Sequence, residues 1–188
     1  MKKSTIILLG VLGGFILLIV LLVGKYNTLV SLEEDVNNKY AIIDTQLQRR
    51  ADLIPNLVAT VKGYTSHEEK ILNTLSEARA KMLSSGNPEE AAEANQQLSN
   101  AITNLLVIVE NYPDLKANQN FISLSDELSG SENRIAVARV DYNDVVANYN
   151  KNIKLFPNNI IANMLGFEEK EYFEADESAQ EVPNVSFE

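Results

Sequence analysis

Apolar residues recur at alternating intervals of three and four positions over residues 26–64, the longest periodic stretch of the chain. A repeat of about 3.5 residues held over this length is typical of one long helix packed along a seam of other helices. Two seam positions, Glu33 and Arg50, are charged, and we expect both on or beside the seam. The seam positions are Tyr26, Leu29, Glu33, Val36, Tyr40, Ile43, Leu47, Arg50, Ile54, Leu57, Val61 and Tyr64.

Three further amphipathic stretches follow the first one, and they are separated by short connections. We predict four helices, at about residues 25–62, 66–84, 88–110 and 115–156. No segment shows the strict alternation of apolar and polar residues that is typical of a strand. The pattern therefore predicts an all-α domain over residues 25–167, folded as an antiparallel up-and-down four-helix bundle.

Local signals mark the predicted helix ends. Gly63 is a suitable residue for ending the first helix, although a bend remains an alternative to a break. Ser66 with Glu69 forms a capping box that predicts the start of the second helix. Asn87 is a favoured N-cap, and Pro88 after it is a favoured first residue, so the third helix is predicted to begin there.

Pro55 lies inside the first predicted helix. Proline lacks the N–H that would bond the carbonyl of Ala51, and its ring crowds that carbonyl, at a cost of about 3 kcal/mol in a helix interior. Because the apolar repeat continues past Pro55, we expect a kink and not an end. Replacing Pro55 with alanine is then expected to stabilise the bundle, unless packing depends on the kink.

The fourth helix has a seam of the same kind, and Pro157 is predicted to stop it. A short apolar piece follows at residues 160–167, and residues 168–188 are acidic and are predicted to form a flexible tail. The seam positions are Phe121, Leu124, Leu128, Ser131, Ile135, Ala138, Tyr142, Val145, Tyr149, Asn152 and Phe156.

The chain begins with a short basic segment, residues 1–5, and an uncharged apolar run of 18 residues follows it. At about 1.5 Å per residue this run spans about 27 Å, close to the hydrocarbon thickness of a bilayer. A cleaved signal peptide is the alternative, but Leu22 fits poorly in a small-residue cleavage site. We predict an uncleaved transmembrane anchor over residues 6–24. Lys2 and Lys3 outweigh Lys25, which predicts that the bundle lies outside the cytoplasm.

Charge and composition exclude several kinds of site. The net charge is −10; the tail, with eight acids and one lysine, contributes −7 of it, which leaves −3 for the remainder. No basic stripe of the kind that binds nucleic acid is present. The chain has no cysteine, so disulfides and thiolate metal sites are excluded.

Catalytic constellations are also lacking. His67 is the only histidine, and Ile71 occupies the place where a zinc protease motif needs its second histidine. A di-iron bundle needs Glu-x-x-His pairs from two helices, and one histidine is too few for that. We therefore predict no enzyme activity, no metal and no cofactor.

Several blocks resemble the LemA family in sequence and in order. They are YNTLV, IDTQLQRRADLIPNLVATVKGY with His67-Glu68, ENRIAVARVDYNDVVANYN, and the pairs Phe156-Pro157 and Gly166-Phe167. The resemblance implies a bacterial protein with one N-terminal membrane helix and an up-and-down four-helix bundle. It implies no catalytic residue, because the family has no settled biochemical activity.

A polar block on the first helix is the main candidate site. It comprises Gln46, Gln48, Arg49, Arg50 and Asp52. These residues are interpreted as a partner-binding face or, as the favoured alternative, as groups that fix helix register.

The fourth helix adds Glu132, Arg134 and Arg139 to this candidate set. If the first and fourth helices are antiparallel neighbours and Tyr26 lies level with Phe156, Arg50 faces Glu132. The same register places Asp44 beside Arg139, and Glu127 is the alternative acid for Arg50.

Together these patterns predict a membrane-tethered, non-catalytic interaction or scaffold protein. Its expected partners are the lipid bilayer, through residues 6–24, and another membrane or envelope protein or a second copy of itself, with no nucleic acid. The alternative is a sensor-like ligand-binding bundle that relays its signal through a partner.

Overall fold

The computed structural model describes residues 3–65 and 67–173, with side chains from residue 8 onward. Over these residues the chain is all-α, with six helices and no strand. The helices are α1 Lys3–Lys62, α2 Glu69–Ser84, α3 Pro88–Val109, α4 Pro113–Lys116, α5 Gln119–Lys154 and α6 Asn158–Leu165.

The residues of the chain group into two units. The first unit comprises Met1–Asn38 and Asp144–Lys170, and the second comprises Lys39–Asn143 and Glu171–Glu188. Helices α1 and α5 supply residues to both units. The second unit contains α2, α3 and α4 in full, and the first contains α6.

From Leu8 to Val23, α1 is apolar and exposed. Among the described residues this is the one helix that is long and apolar enough to cross a membrane, and its apolar window has no buried residue. Bare apolar side chains in this number are costly in water but favourable in hydrocarbon. The finding agrees with the membrane anchor predicted over residues 6–24.

In the second unit, α1 and α5 contact each other as antiparallel neighbours. The rings of Tyr40 and Tyr142 lie 5.8 Å apart, and the Arg50 guanidinium lies 2.5 Å from the Glu132 carboxylate. The separation from Tyr40 to Arg50 along α1 equals the separation from Glu132 to Tyr142 along α5. The two helices therefore run in opposite directions here, and the predicted register and the predicted contact between Arg50 and Glu132 are confirmed.

Helix α1 continues through Pro55 to Lys62, as expected from the unbroken repeat. Ala51, whose carbonyl loses its helical partner to this proline, is fully buried. Its oxygen accepts a hydrogen bond of 2.9 Å from Nε of Arg79 on α2. An arginine from another helix thus replaces the hydrogen bond that the proline removes.

The helix boundaries agree with the predicted signals at two connections. Helix α1 ends at Lys62, and the N–H of Gly63 turns back to the carbonyls of Ala59 and Thr60, so Gly63 ends the helix. Asn87 caps α3 by accepting a hydrogen bond of 2.8 Å from the N–H of Glu90. The predicted cap Ser66 lies outside the described residues, and α2 begins at Glu69 with Glu68 as its N-cap, so the predicted start at residue 66 was wrong by three residues.

The start of the fourth predicted helix was wrong by four residues. The short helix α4 forms at Pro113–Lys116, where a break followed by the long helix was expected. Asn118 then accepts hydrogen bonds from the N–H groups of Asn120 and Phe121, so α5 begins at Gln119. An asparagine side chain in this position satisfies donors that have no partner within the helix.

The seam predicted for α5 was wrong near its C-terminal end. Helix α5 ends at Lys154, and Phe156, the last predicted seam residue, is 81% exposed. Val146 and Ile153 are buried there in place of the predicted Val145 and Asn152, whereas Tyr149 between them is buried as predicted. An ideal helix drifts by about 20° per heptad relative to a 3.5-residue repeat, so a strict repeat fits the buried face less well toward the end of a long helix.

The predicted start of the flexible tail was also wrong. The side chain of Phe173 is buried, and its backbone N–H and carbonyl both bond the side-chain amide of Asn143, at 2.9 and 3.1 Å. Arg139 lies over the Phe173 ring at 5.1 Å. Any tail must therefore begin after Phe173; residues 174–188 lie outside the described residues.

Tyr142 also contacts this C-terminal segment. Its hydroxyl donates a hydrogen bond of 2.8 Å to the carbonyl of Glu171. Burial, together with the neighbouring Tyr40 and Glu171, raises the pKa of Tyr142 to about 12. The hydroxyl thus keeps its proton, and its role as a donor, throughout the neutral range.

Asn143→Ala is expected to detach this segment in part. The change removes two hydrogen bonds, each of which contributes about 1 kcal/mol, and leaves both backbone groups of Phe173 without partners. Chymotrypsin should cleave the variant beside Tyr172 faster than it cleaves the unmodified chain. Asn148→Ala is the control, because Asn148 is exposed on the same helix. Equal cleavage rates for both variants would contradict the expectation.

The first unit contains a comparable contact. Asn150 bonds both the N–H and the carbonyl of Lys170, at 2.9 and 2.8 Å. The Lys170 ammonium lies 2.6 Å from Glu33 and 5.8 Å from the centre of the Tyr149 ring. Glu33, one of the two charged seam residues of α1, is therefore paired inside its unit.

Candidate functional site

Arg50 is the centre of a polar cluster in the second unit. It lies on the buried seam of α1 and is only 3% exposed. Its Nη1 atom lies 2.5 Å from Oδ1 of Asn95, 3.0 Å from Oγ of Ser99 and 2.5 Å from Oε2 of Glu132. A single side-chain nitrogen of Arg50 on α1 thus contacts two side chains of α3 and one of α5.

The ion pair in this cluster is unequally buried. The Arg50 side chain is 4% exposed, whereas the Glu132 side chain is 40% exposed. Burial lowers the pKa of Arg50, and the Glu132 carboxylate opposes that effect. Arginine titrates far above neutral pH, so the guanidinium stays charged and depends on Glu132 as its counter-ion.

A second set of charged contacts lies on the exposed side of the same helix pair. Glu127 accepts hydrogen bonds from Arg49 at 2.7 Å and from Arg134 at 3.1 Å. Arg134 also donates to Gln46 at 3.2 Å. These groups join α1 to α5 at the surface, where each ion pair contributes about 0–1 kcal/mol.

The structure places all eight predicted site residues in the second unit and gives each of them an internal contact. Gln48 donates to Asp52 at 3.0 Å, which keeps this pair within α1. Arg139 contacts Phe173, and the predicted proximity of Asp44 to Arg139 stays a prediction. The polar side chains of the block that reach other elements contact α3 and α5.

Three residues that contact α1 in this region were not predicted from the sequence. Asn95 and Ser99 come from α3, and Arg79 comes from α2. A signal for Asn95 does exist, because it lies three residues before Leu98 and so continues the apolar stripe of α3 as a polar residue. Ser99 and Arg79 lie beside their stripes and give no such signal.

A cleft of about 420 Å³ opens beside the cluster. Arg50, Ser99, Ser125 and Glu132 form its polar wall, and leucine and isoleucine side chains form much of the remainder, namely Leu57, Ile102, Leu105, Leu106 and Leu128. Nε of Arg50 and Oγ of Ser125 are buried and have no hydrogen-bond partner among the described residues. Buried polar atoms are nearly always paired, so these two atoms lack the partners that such groups usually have.

The described residues contain no group of three or more His, Asp or Glu side chains that could hold a metal ion. His67 is exposed, and its backbone N–H donates to Thr65 Oγ1 at 3.2 Å. Tyr112 accepts a hydrogen bond from Thr65 and donates one to Glu68, so the polar groups near His67 pair with each other.

Comparison with known proteins gives several relatives. The chain is 27% identical to magnetosome protein MamQ 2 of Paramagnetospirillum magneticum, over 86% of the chain and 69% of that protein. It is 26% identical to magnetosome protein MamQ of Magnetospirillum gryphiswaldense, with the same coverage. It is also 26% identical to protein LemA of Metamycoplasma hominis, over 82% of the chain and 71% of that protein.

The sequence model of one family covers most of the chain. It matches residues 39–187, which include the polar block on α1, both helices that contact Arg50 and the segment that binds Asn143. This range and the named relative agree with the resemblance drawn from the sequence blocks. The chain belongs to the LemA family.

Proposed function

We propose that the chain is a membrane-tethered, non-catalytic interaction protein. Residues 6–24 cross the bilayer once, and α1, α2, α3 and α5 form an antiparallel up-and-down four-helix bundle. The bundle binds another membrane or envelope protein, or a second copy of the chain. The polar block on α1 fixes the register of the helices, because its interhelical contacts bind it to α3 and α5.

The observation that carries this proposal is an exposed apolar pair within a row of charged contacts. Ile42 and Val137 are both exposed. Ile42 lies between Lys39 and Gln46 on one face of α1, and Val137 lies between the partners of those residues on α5, Asp141 and Arg134. Apolar side chains rimmed by polar groups are typical of protein interaction sites.

Photocrosslinking tests this surface in bacterial membranes. With p-benzoylphenylalanine at position 137, we expect one discrete adduct, whose mass distinguishes a second copy of the chain from a different protein. The control places the same residue at position 77, because Glu77 is exposed on α2 away from the apolar pair. The same adducts from both positions, or none from position 137, would count against the proposal.

The proposed topology leads to a separate prediction. Lys2 and Lys3 favour a cytoplasmic N-terminus, which places the bundle outside the cytoplasm. Protease added to intact spheroplasts should then digest the bundle. Protection of the bundle until the cells are lysed would show the opposite orientation.

The cleft beside Arg50 supports a second candidate, a ligand-binding bundle that signals through a partner. Nε of Arg50, which has no partner in the described part of the chain, could donate a hydrogen bond to an acceptor on a small metabolite. Oγ of Ser125, which also has no partner there, could bind a second polar group of the same molecule. A thermal-shift screen of small metabolites distinguishes the two candidates. A compound that stabilises the chain, but stabilises the Ser125→Ala variant less, would support binding in the cleft. Ser76→Ala is the control, because Ser76 bonds the backbone of α2 and does not line the cleft.

A further inference from the structure

Large apolar side chains are exposed in the first unit, directly after α5 and on α6. Their exposed fractions range from 49% for Leu155 to 81% for Phe156. We call this set the α6 apolar surface; it consists of Leu155, Phe156, Ile160, Met164 and Leu165. Five large apolar side chains this close together are unusual on a surface that faces only water.

Helix α6 is fixed in place by its opposite face. Ile161 and Ala162 are buried, and Nδ2 of Asn158 donates to the carbonyl of Asn152 at 3.2 Å. Gly166 ends the helix with φ of 78°, a left-handed conformation that glycine adopts without strain. The helix is therefore apolar on both its packed and its exposed face, and the exposure of the α6 apolar surface follows from the way its other face packs.

The α6 apolar surface is connected to the point where the anchor ends. Tyr26 lies three residues after Val23, the last residue of the apolar run, so along a helix it is about 5 Å farther on. Its ring contacts the ring of Phe167, with 6.0 Å between the centroids. Phe167 follows α6 directly after Gly166, and tyrosine at this point of a membrane helix favours the headgroup level.

The charges near α6 are also compatible with a lipid surface. The helix sequence NNIIANML contains no charged residue. Lys151 and Lys154 lie in the last turn of α5, immediately before the α6 apolar surface, and Lys154 forms an ion pair of 2.7 Å with Glu169. Apolar side chains flanked by lysines are typical of helices that lie in the boundary between headgroups and acyl chains.

We propose that the α6 apolar surface lies on the lipid bilayer, as a second membrane contact beside the anchor. Phe156 and Met164 enter the boundary between headgroups and acyl chains, and the asparagines of α6 stay among polar groups. This inference rests on the proposed anchor, because the anchor brings the first unit to the membrane. The contact would fix the first unit against the bilayer and not merely tether it there.

Tryptophan fluorescence in nanodiscs tests the contact on the full chain. The chain has no tryptophan, so each single substitution gives one signal. In discs that hold one chain each, Phe156→Trp should lose most of its emission when lipids brominated near the headgroup replace ordinary lipids. Met164→Trp should behave in the same way. Val137→Trp is the exposed control in the second unit, and it should keep its emission.

Phe15→Trp reports on the anchor separately, and lipids brominated near the acyl-chain ends should quench it most. If Phe15→Trp is quenched while Phe156→Trp and Met164→Trp keep their full emission, the anchor stands and the α6 contact is overturned. Blue-shifted but unquenched emission from those two variants would show that protein covers the surface, which also overturns the proposal. An unquenched Phe15→Trp would overturn the anchor and the α6 contact together.

Discussion

Glu132→Ala should lower the free energy of unfolding by about 3–5 kcal/mol, because it leaves a buried cation without its counter-ion. Arg50 is only 3% exposed, so its guanidinium stays largely out of contact with water unless water enters from the adjoining cleft. Asn95 and Ser99 still accept hydrogen bonds from the guanidinium in the variant, but they carry no charge. Denaturation of the full chain in detergent, followed by circular dichroism, measures the loss.

Two matched variants show whether the burial of Arg50 is the cause of the loss of stability. Glu127→Ala removes an acid from the same helix that pairs with Arg49 and Arg134 at the surface, and it should cost at most about 2 kcal/mol. Arg50→Met should cost less than Glu132→Ala, because the carboxylate that it leaves behind is 40% exposed and can be hydrated. Equal losses for Glu132→Ala and Glu127→Ala would show that the Arg50 pair behaves as an ordinary surface pair.

Arg79→Ala should lower the free energy of unfolding by about 1–3 kcal/mol, the cost of leaving one buried backbone carbonyl without a partner. That carbonyl belongs to Ala51, and Pro55 is the reason why it has no partner within α1. In a Pro55→Ala background the new N–H of residue 55 can bond Ala51, so Arg79→Ala should then cost much less.

The four chains of this double-mutant cycle measure the coupling between the proline and the arginine. Pro55→Ala alone should stabilise the chain, since Pro55 is exposed and alanine favours the helix. The gain is partly offset, because Arg79 loses its acceptor. Strictly additive effects of the two substitutions would show that the hydrogen bond from Arg79 does not compensate for the one that the proline removes from Ala51.

The contact between Arg50 and Glu132 could be predicted because two long periodic helices contain enough information to set their mutual register. A charge on an otherwise apolar seam needs a partner at the same height, and α5 offers Glu132 there. The same alignment places Tyr40 opposite Tyr142, and their rings are in contact. The burial of the apolar α1 seam from Leu29 to Val61 follows from the repeat itself, and of the seam positions in this range only Glu33 and Tyr40 are half-buried.

The contributions of α2 and α3 could not be predicted in the same way. These helices are short, so their periodicity predicts which face is buried but not their position along the axis of α1. Asn95 and Arg79 contact particular atoms of α1, and such contacts depend on position to within a few ångströms. The packing of Phe173 was missed because the surrounding sequence is acidic, and composition gives no indication of one aromatic residue that packs against a helix.

The hydrogen bonds from Asn143 have a consequence for sequence variation in the segment that they bind. The amide of Asn143 contacts only main-chain atoms of Phe173, and every residue except proline presents the same pair of groups. In this contact, only the apolar side chain at position 173 restricts which residue can occupy the position. Substitutions at neighbouring exposed positions should be tolerated, whereas inserting one residue between Tyr172 and Phe173 would shift the aromatic ring relative to Glu171, whose carbonyl is bound by Tyr142. The spacing of the segment is thus under stronger constraint than its composition.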